Sequence, residues 1–492
     1  MSSVALPVSL TRHSSRFLKG DALVAGRWVE GAARIVVEDP ATGENIGAVA
    51  SLDVADVDRA VDAAEAAFPA WRALLPLERG AILRRWASLV CEEREDLARL
   101  MTREQGKPLV EARGEIDYAA GFLDWFAAEG ERAYGETIPS HKPDSLLLTR
   151  LQPIGIAAAV TPWNFPSAMI TRKAAAALAA GCPIIVKPAS ETPFSALALA
   201  KLSEEAGVPA GVFQVLTGLS EAIVGRLIDH TRVRALSFTG STEIGRLLLG
   251  RAARTVKKVS MELGGHAPFI VFDDTHLDLA LAGALAAKFT TSGQDCLAAN
   301  RIYVQRRVYG AFVERFGAMV SQLNVGHGLD PATQIGPMTR LSVARKCRAQ
   351  IENAIALGAR VVTGGGAPLG RETFVRPTVL ADVSDRMLIA REETFGPVAA
   401  ILPFDSEEEV IARANATEMG LASYLYCDDL RRAFRVGEAL DYGMVGVNTT
   451  SFSGPPIPFG GWKQSGLGRE GSRHGLAEFM ELKYFCLGDL SA

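Results

Sequence analysis

Residues 154–164 read IGIAAAVTPWN, an apolar run that ends in a threonine, a proline, a tryptophan and an asparagine. Apolar runs of similar length follow at 184–186, 212–216 and 235–238, with helical patterns up to residue 180 and over 195–206 between them. Strands that alternate with helices predict a parallel sheet built from βαβ units, which is an α/β fold.

A second α/β pattern begins near residue 269. It contains predicted helices at 278–289, 310–322 and 341–356, and predicted strands at 302–304, 398–402, 421–426 and 479–486. Before residue 154 we predict short strands within 22–48, helices within 53–130, and an exposed strand or arm at 146–151. The length of 492 residues favours about three domains.

Composition and charge exclude several classes of protein. Of the residues, 48 % are apolar and 22 % are charged, which is typical of a globular chain and not of a disordered one. The 52 basic and 56 acidic residues leave a net charge of −4, so nucleic acid is not an expected partner. The uncharged run at 151–171 is interrupted by Pro153, Pro162 and Pro166, which argue against a membrane span.

The six cysteines are far apart in the sequence, and no two of them form a C-x-x-C pair. This spacing indicates neither a disulfide framework nor a zinc site, so we expect no metal and a reducing, cytoplasmic location. Residues 1–20 contain Arg12, Arg16, Lys19 and several serines but no acidic residue. We interpret them as a disordered extension rather than a transit peptide.

Several polar residues lie where the predicted strands end, which is where α/β sheets bind ligands. Lys187 directly follows an apolar strand, and Gly240 and Ser241 precede a helix whose N-terminus can hold phosphate. Cys296 lies in SGQDC at 292–296, and Glu262 lies in MELGG at 261–265. Taken alone, each of these residues is equally compatible with an ordinary turn or core position.

The motifs are specific in combination. In chain order they are PWNFP at 162–166, VKPA at 186–189, FTGST at 238–242, MELGG at 261–265, GQDC at 293–296, EETFGP at 392–397 and PFGG at 458–461. Together they resemble the aldehyde dehydrogenase superfamily over residues 22–487. The segments 169–173, 187–196 and 465–472 are most similar to its succinate-semialdehyde dehydrogenase branch.

The resemblance implies an α/β protein of three parts. A parallel-sheet dinucleotide-binding domain would comprise residues 1–135 and 158–268, and an α/β catalytic domain residues 269–450. A small β bridging and oligomerisation element would comprise residues 136–157 and 470–492. Members of the family are dimers or tetramers, so we expect a homodimer or homotetramer.

The resemblance also implies the reaction, which is NAD(P)-dependent oxidation of an aldehyde to the free acid without coenzyme A. Cys296 would add to the aldehyde, and the thiohemiacetal would lose hydride to become a thioester. The Asn164 amide and the Cys296 backbone N–H would form the oxyanion hole, and Glu262 would be the base for hydrolysis. Asp295 replaces a residue that is often neutral, and we expect its carboxylate to point away from the thiol.

Further residues match the family's cofactor-binding positions. They are Trp163, Lys187, Gly240, Ser241, Leu263 and Glu393. Ser190 stands where members that prefer NAD commonly have a glutamate that repels the 2′-phosphate of NADP. A small neutral serine therefore favours NADP, with NAD as the alternative.

Succinate semialdehyde carries a terminal carboxylate, which an arginine binds well. Arg172 matches one such arginine of the succinate-semialdehyde branch, whereas Thr290 stands where that branch usually has a second one. Ala298 replaces a cysteine that is often present there, so we expect no redox disulfide. Trp462 and the loop 451–456 are candidates for lining the pocket, which leaves glutarate semialdehyde and general or aromatic aldehydes as alternative substrates.

Two other classes of function stay open. A thioester hydrolase would need only Cys296, Asn164 and Glu262, but Lys187 and Glu393 would then have no purpose. A non-catalytic structural member of the family would be expected to lack the nucleophile or the base, and this chain has both.

Overall fold

A computed structural model of the chain describes residues 14–367 and 369–490, and all elements below belong to those residues. The α-helices are α1 (Val54–Ala73), α2 (Pro76–Glu92), α3 (Arg94–Gln105), α4 (Leu109–Glu129), α5 (Ala168–Ala180), α6 (Pro193–Glu205), α7 (Ser220–Asp229), α8 (Thr242–Ala252), α9 (Leu277–Phe289), α10 (Arg306–Ser321), α11 (Leu341–Ala356), α12 (Glu407–Asn415), α13 (Leu430–Ala439) and α14 (Ser472–Ala477).

The strands pair into five sheets. They are β1 (Ala22–Val24), β2 (Arg27–Val29), β3 (Ala33–Glu38), β4 (Asn45–Ser51), β5 (Thr137–Ile138), β6 (Leu146–Pro153), β7 (Ile156–Val160), β8 (Ile184–Lys187), β9 (Phe213–Val215), β10 (Val233–Thr239), β11 (Lys258–Glu262), β12 (Ala267–Val271), β13 (Ala299–Gln305), β14 (Arg360–Thr363), β15 (Thr378–Ala381), β16 (Val398–Phe404), β17 (Met419–Gly420), β18 (Ala422–Tyr426), β19 (Met444–Val447), β20 (Trp462–Lys463), β21 (Gly466–Leu467) and β22 (Met480–Leu487).

The first sheet has eight strands in the order β2-β1-β9-β8-β7-β10-β11-β21. Its five central strands, β9 to β11 in that order, are parallel, whereas β1, β2 and β21 pair antiparallel. The predicted parallel sheet is confirmed, and its predicted strands at 154–160, 184–186, 212–216 and 235–238 correspond to β7, β8, β9 and β10.

The central strands of this sheet are mostly buried because both of its faces are covered. On one face Ala157, Ala159 and Val186 belong to a core that includes residues of α2 to α6. On the other face Ala158 and Ile185 pack with residues of α1, α7 and α8. Covered faces leave the ends of the strands as the place where polar residues can meet a ligand.

The second sheet has seven strands in the order β14-β15-β16-β13-β12-β18-β19, and only β14 among them pairs antiparallel. Two apolar cores, one on each face, cover it. The predicted second α/β unit is therefore confirmed, although the helix expected at 310–322 begins earlier, at Arg306.

A separate three-stranded antiparallel sheet, β22-β6-β5, joins the C-terminal strand to the arm predicted at 146–151. Its long pair runs in register from Leu146↔Leu487 to Pro153↔Met480. Two apolar side chains of β22, Leu482 and Tyr484, are exposed. Among the described helices, none combines the length and the apolar character needed to cross a membrane.

The expected disordered extension is only partly within the described residues, since residues 1–13 lie outside them. The remainder contradicts that expectation. Ser14–Phe17 form a 3₁₀ helix, and Phe17 is buried in the core shared by α2 to α6. The aromatic ring accounts for this ordering, because burying a phenylalanine side chain contributes about 1.5–3 kcal/mol.

Candidate active site

A cavity of about 820 Å³ opens at the carboxyl ends of the first sheet's parallel strands. Nine of the sequence-predicted residues line it: Trp163, Asn164, Ser190, Gly240, Ser241, Glu262, Leu263, Cys296 and Glu393. Lys187 and Arg172 are not among its lining residues. Strand-end loops of the first sheet and two loops of the second α/β unit thus meet at one cavity.

The loop that carries Cys296 is folded by an unusual left-handed turn. Thr291, Ser292 and Gly293 have φ values of 51°, 55° and 74°, a region that residues other than glycine rarely adopt. The turn is held by the Ser292 hydroxyl, which accepts a hydrogen bond from Gly336 N at 2.8 Å. It places Cys296 at the cavity in a half-buried position.

The surroundings of Cys296 favour the neutral thiol. Burial raises the pKa of Cys296 well above its usual value, and the Glu262 and Asp295 carboxyls raise it further. The expectation that Asp295 points away from the thiol stays a prediction, although its charge acts on the pKa of the thiol. One Asp295 oxygen accepts the Leu297 backbone N–H at 3.0 Å, which keeps the side chain folded over its own turn.

Glu262 ends β11 and is almost fully buried. Its Oε1 has no hydrogen-bond partner among the described residues, and its side chain lines the same cavity as Cys296. Burial and the nearby Glu470 carboxylate raise the pKa of Glu262, whereas Arg172 and Lys173 lower it. A buried carboxyl with a free oxygen beside the thiol is placed to accept a proton.

Asn164 follows β7 and faces the loop of Cys296. Its Nδ2 donates to the Gln294 backbone carbonyl at 3.1 Å, two residues before the thiol. Its backbone carbonyl accepts a hydrogen bond from Lys107 Nζ at 2.7 Å. An amide nitrogen carries two hydrogens, so Nδ2 has a second one available for an oxygen that develops negative charge near Cys296.

The opposite part of the cavity has the features of a dinucleotide site. Ser241 caps the N-terminus of α8, where its hydroxyl accepts from Ile244 N at 3.4 Å. A Cβ atom on Gly240 would lie 2.6 Å from the Phe238 ring, so this turn has no room for a side chain. Val224 of α7 and Leu248 of α8 line an apolar part of the same cavity. A helix N-terminus beside an apolar slot fits a phosphate linked to an aromatic base.

Two charged residues near this region are held by backbone groups. Lys187 is buried and donates to the Pro188 carbonyl at 2.6 Å, and burial lowers the pKa of its ammonium to about 8. Glu393 accepts the Gly265 N–H at 3.0 Å, and burial raises its pKa to about 7. Both side chains are therefore fixed in place.

Ser190 lines the cavity, and the residue that follows it belongs to an ion pair. The next residue, Glu191, pairs with Arg340 at 2.6 Å, and Arg340 also lines the cavity. The negative charge of Glu191, beside Ser190, is thus matched by an arginine.

Arg172 is buried, so its interpretation as an ordinary surface charge is excluded. Its guanidinium forms an ion pair with Glu470 at 3.2 Å, donates to the Tyr118 hydroxyl at 3.0 Å, and lies 4.3 Å from the centre of the Phe459 ring. A role for Arg172 in binding the substrate stays a prediction.

The other residues singled out for the substrate pocket lie apart from the cavity. Thr290 is exposed, and its hydroxyl donates to the Ala286 carbonyl of its own helix at 2.8 Å. Trp462 is half exposed, pairs with Gly420 in a two-stranded sheet, and does not line the cavity. The loop 451–456 does not line the cavity, and the ring of its Phe452 packs edge-to-face on Tyr424.

Sequence reasoning missed the buried charges behind the cavity. Lys107, Glu115, Lys173 and Glu470 are buried, and Glu111 is half-buried. A signal was available for three of them, since Lys107, Glu111 and Glu115 are spaced by four residues, which places the two glutamates on one face of a helix. No local pattern singles out Glu470, whose partners lie almost 300 positions away.

The chain was compared with known proteins. The model of the "Aldehyde dehydrogenase family" matches residues 28–485. A glutarate-semialdehyde dehydrogenase of Pseudomonas aeruginosa is 53 % identical, over 97 % of this chain and 99 % of the relative. The succinate-semialdehyde dehydrogenase GabD of Escherichia coli, whose name specifies NADP(+), is 54 % identical over the same shares. A crystal structure of an aldehyde dehydrogenase from Brucella melitensis biovar abortus has a TM-score of 0.96 and 52 % identity, covering 98 % of this chain and 99 % of that one.

Proposed function

The chain belongs to the aldehyde dehydrogenase family and oxidises an aldehyde with NAD(P), and from that premise we propose that its substrate is succinate semialdehyde. The observation that carries the proposed chemistry is the meeting of Cys296, Glu262 and Asn164 at one cavity. The substrate assignment is supported by the Pseudomonas aeruginosa and Escherichia coli relatives, which are 53 % and 54 % identical and are named for semialdehydes of dicarboxylic acids.

In the proposed mechanism Cys296 transfers its proton to Glu262 and adds to the aldehyde carbon. The Asn164 amide and the Cys296 backbone N–H donate to the oxygen that becomes negative. Loss of hydride from this adduct leaves a thioester on Cys296. Glu262 gives up this first proton to solvent and then takes a proton from the water that attacks the thioester. The C–S bond breaks, the free acid leaves, and the Cys296 sulfur recovers a proton from Glu262. The free oxygen of Glu262, at the cavity that Cys296 also lines, supports both proton transfers.

Three features already described make the cavity suitable for a dinucleotide: the helix N-terminus, the tight Gly240 turn and the apolar slot. We assign Gly240 and Ser241 to the phosphates, Lys187 and Glu393 to the riboses, and Trp163 and Leu263 to the wall of the site. NAD(P), when bound, supplies the acceptor for the hydride. Ser190 favours NADP, since it is small and neutral and the neighbouring Glu191 is paired with Arg340.

The proposed domains are those of the sequence analysis: residues 1–135 and 158–268 for the cofactor, 269–450 for catalysis, and 136–157 with 470–492 for oligomerisation. The exposed apolar residues of β22, Leu482 and Tyr484, support a homodimer or homotetramer formed through the last element. A cytoplasmic location is supported by the six cysteines, all of which are free.

A panel of matched aldehydes tests the substrate. Succinate semialdehyde, glutarate semialdehyde and uncharged aldehydes of the same lengths are compared by kcat/KM on the wild type and on Arg172→Ala. We expect the acid-bearing aldehydes to be preferred, and the variant to lose that preference. Equal or higher kcat/KM for the uncharged aldehydes, unchanged in the variant, would overturn the assignment and leave a general aldehyde dehydrogenase. Glutarate semialdehyde is the second candidate, favoured by the Pseudomonas aeruginosa relative.

A further inference from the structure

A buried row of charges contacts both loops that carry the proposed catalytic groups. Lys107 lies two residues before α4, and Glu111 and Glu115 follow on the first turns of that helix. Residues four positions apart share one face of a helix, so both carboxyls point to the same side. That side faces the loop after β7, which presents Asn164, and the turn before Cys296.

Lys107 and Glu115 hold the loop of Asn164. Lys107 Nζ donates to the Asn164 carbonyl at 2.7 Å and forms an ion pair with Glu115 at 2.5 Å, with both side chains almost completely buried. The second Glu115 oxygen accepts the backbone N–H groups of Ser167 and Ala168 at 2.9 and 3.2 Å. The pair therefore fixes the loop at its carbonyl and at the start of α5.

Glu111 holds the loop of Cys296. Its Oε2 accepts the Thr291 backbone N–H at 2.9 Å, and Thr291 is the first residue of the left-handed turn. Such a turn is unfavourable for threonine and persists only where the surroundings hold it. Glu111 is one of those restraints, and it starts from the same helix that holds Asn164.

Resting on the proposed roles of Asn164 and Cys296, we propose that Lys107, Glu111 and Glu115 are positioning residues, which set the separation between the oxyanion donor and the nucleophile. None of the three side chains lines the cavity, so none of them contacts the reacting atoms. Their effect is on geometry, and a misplacement of about 1 Å between reacting groups can lower a rate about 10²-fold.

The test compares Glu111→Ala with Glu111→Gln in single-turnover measurements of hydride transfer. The amide oxygen of glutamine can still accept the Thr291 N–H, whereas alanine cannot. We expect a loss of about tenfold or more for alanine and of less than about threefold for glutamine, with unchanged Kd for NADP. Glu129→Ala is the matched control, because Glu129 is a buried glutamate near the far end of α4 that pairs with Arg132.

A second variant tests the loop of Asn164 independently of the loop of Cys296. Lys107→Met leaves Glu115 unpaired and can fail to fold, so it is combined with Glu115→Gln, which removes both charges. We expect this double variant to slow hydride transfer while the rate of Cys296 alkylation by iodoacetamide stays within about twofold of wild type. Glu111→Ala should change both rates, because it acts on the thiol's own loop.

The outcomes separate this proposal from the proposed function. A wild type without aldehyde oxidation would contradict the proposed function. A wild type with normal activity, together with Glu111→Ala and the double variant at wild-type rates of hydride transfer, would overturn the positioning roles. Equal losses in Glu111→Ala, Glu111→Gln and Glu129→Ala, in step with thermal stability, would also overturn them, since they would indicate general destabilisation.

Discussion

Replacing Asp295 by asparagine tests how this chain controls the reactivity of its thiol. The Asp295 carboxyl contributes to the raised pKa of the Cys296 thiol, after burial and Glu262. An ionised neighbour disfavours the thiolate, so removing its charge must lower the pKa of Cys296. The thiolate is the reactive form, and its fraction at neutral pH should therefore rise.

The size of the effect follows from the closeness of Asp295 and Cys296, which are neighbours in the chain. Two unit charges about 4 Å apart interact by about 4 kcal/mol at an effective dielectric constant of about 20. Asp295 and Cys296 are both half-buried, and the Leu297 N–H already compensates part of the carboxylate charge. About a third of that energy then remains, roughly 1.4 kcal/mol, which is one pKa unit and a factor of about ten in thiolate below the pKa.

The assay is the pH dependence of Cys296 alkylation by iodoacetamide, with the modified peptide identified by mass spectrometry. Cys91 and Cys486 are exposed and would react too, so both are replaced by serine in every protein compared. Asp330→Asn is the matched control, because exposed Asp330 makes the same hydrogen bond to the N–H two residues ahead. A pKa of Cys296 that is unchanged or higher in Asp295→Asn would refute the reasoning.

Two further predictions concern the base and the cofactor. Glu262→Gln should leave a thioester on Cys296 after one turnover and lower steady-state turnover about 10²-fold or more, as intact-protein mass spectrometry and kinetics would show; normal turnover without an adduct would count against a base. Ser190→Glu should lower kcat/KM for NADP relative to NAD about tenfold or more, because the new carboxylate faces the 2′-phosphate, whereas Ser190→Ala should not. A wild type already more than tenfold better with NAD would contradict the NADP preference.

The sheets were predictable because their signal is local. Apolar runs such as those of β7 and β8 are bounded by turn residues, and strands buried on both faces need no partner information to be recognised. The cavity residues were also accessible, since strand-end loops of a parallel sheet converge in space wherever they lie in the chain.

The four-residue spacing of Lys107, Glu111 and Glu115 indicates a shared helix face, but the roles of these charges depend on partners that are distant in sequence. Lys107 and Glu115 read as an ordinary polar turn and helix until the loop after β7 packs against them. The distribution of charged residues along α4 does not reveal which of them are buried. That face is covered by the loop after β7 and the turn before Cys296, which are distant from α4 in the sequence.

The ion cluster behind Glu262 shows how that packing bears on the chemistry. Arg172 and Lys173 share the single carboxylate of Glu470, whose ionisation they favour against the effect of burial. The cluster therefore carries one more positive than negative charge, and both cations act to lower the pKa of Glu262. This surplus offsets part of the cost of ionising a buried base. Arg172 is already paired with Glu470. A substrate carboxylate would therefore compete with Glu470 for the guanidinium, and the net positive charge of the cluster would favour its binding.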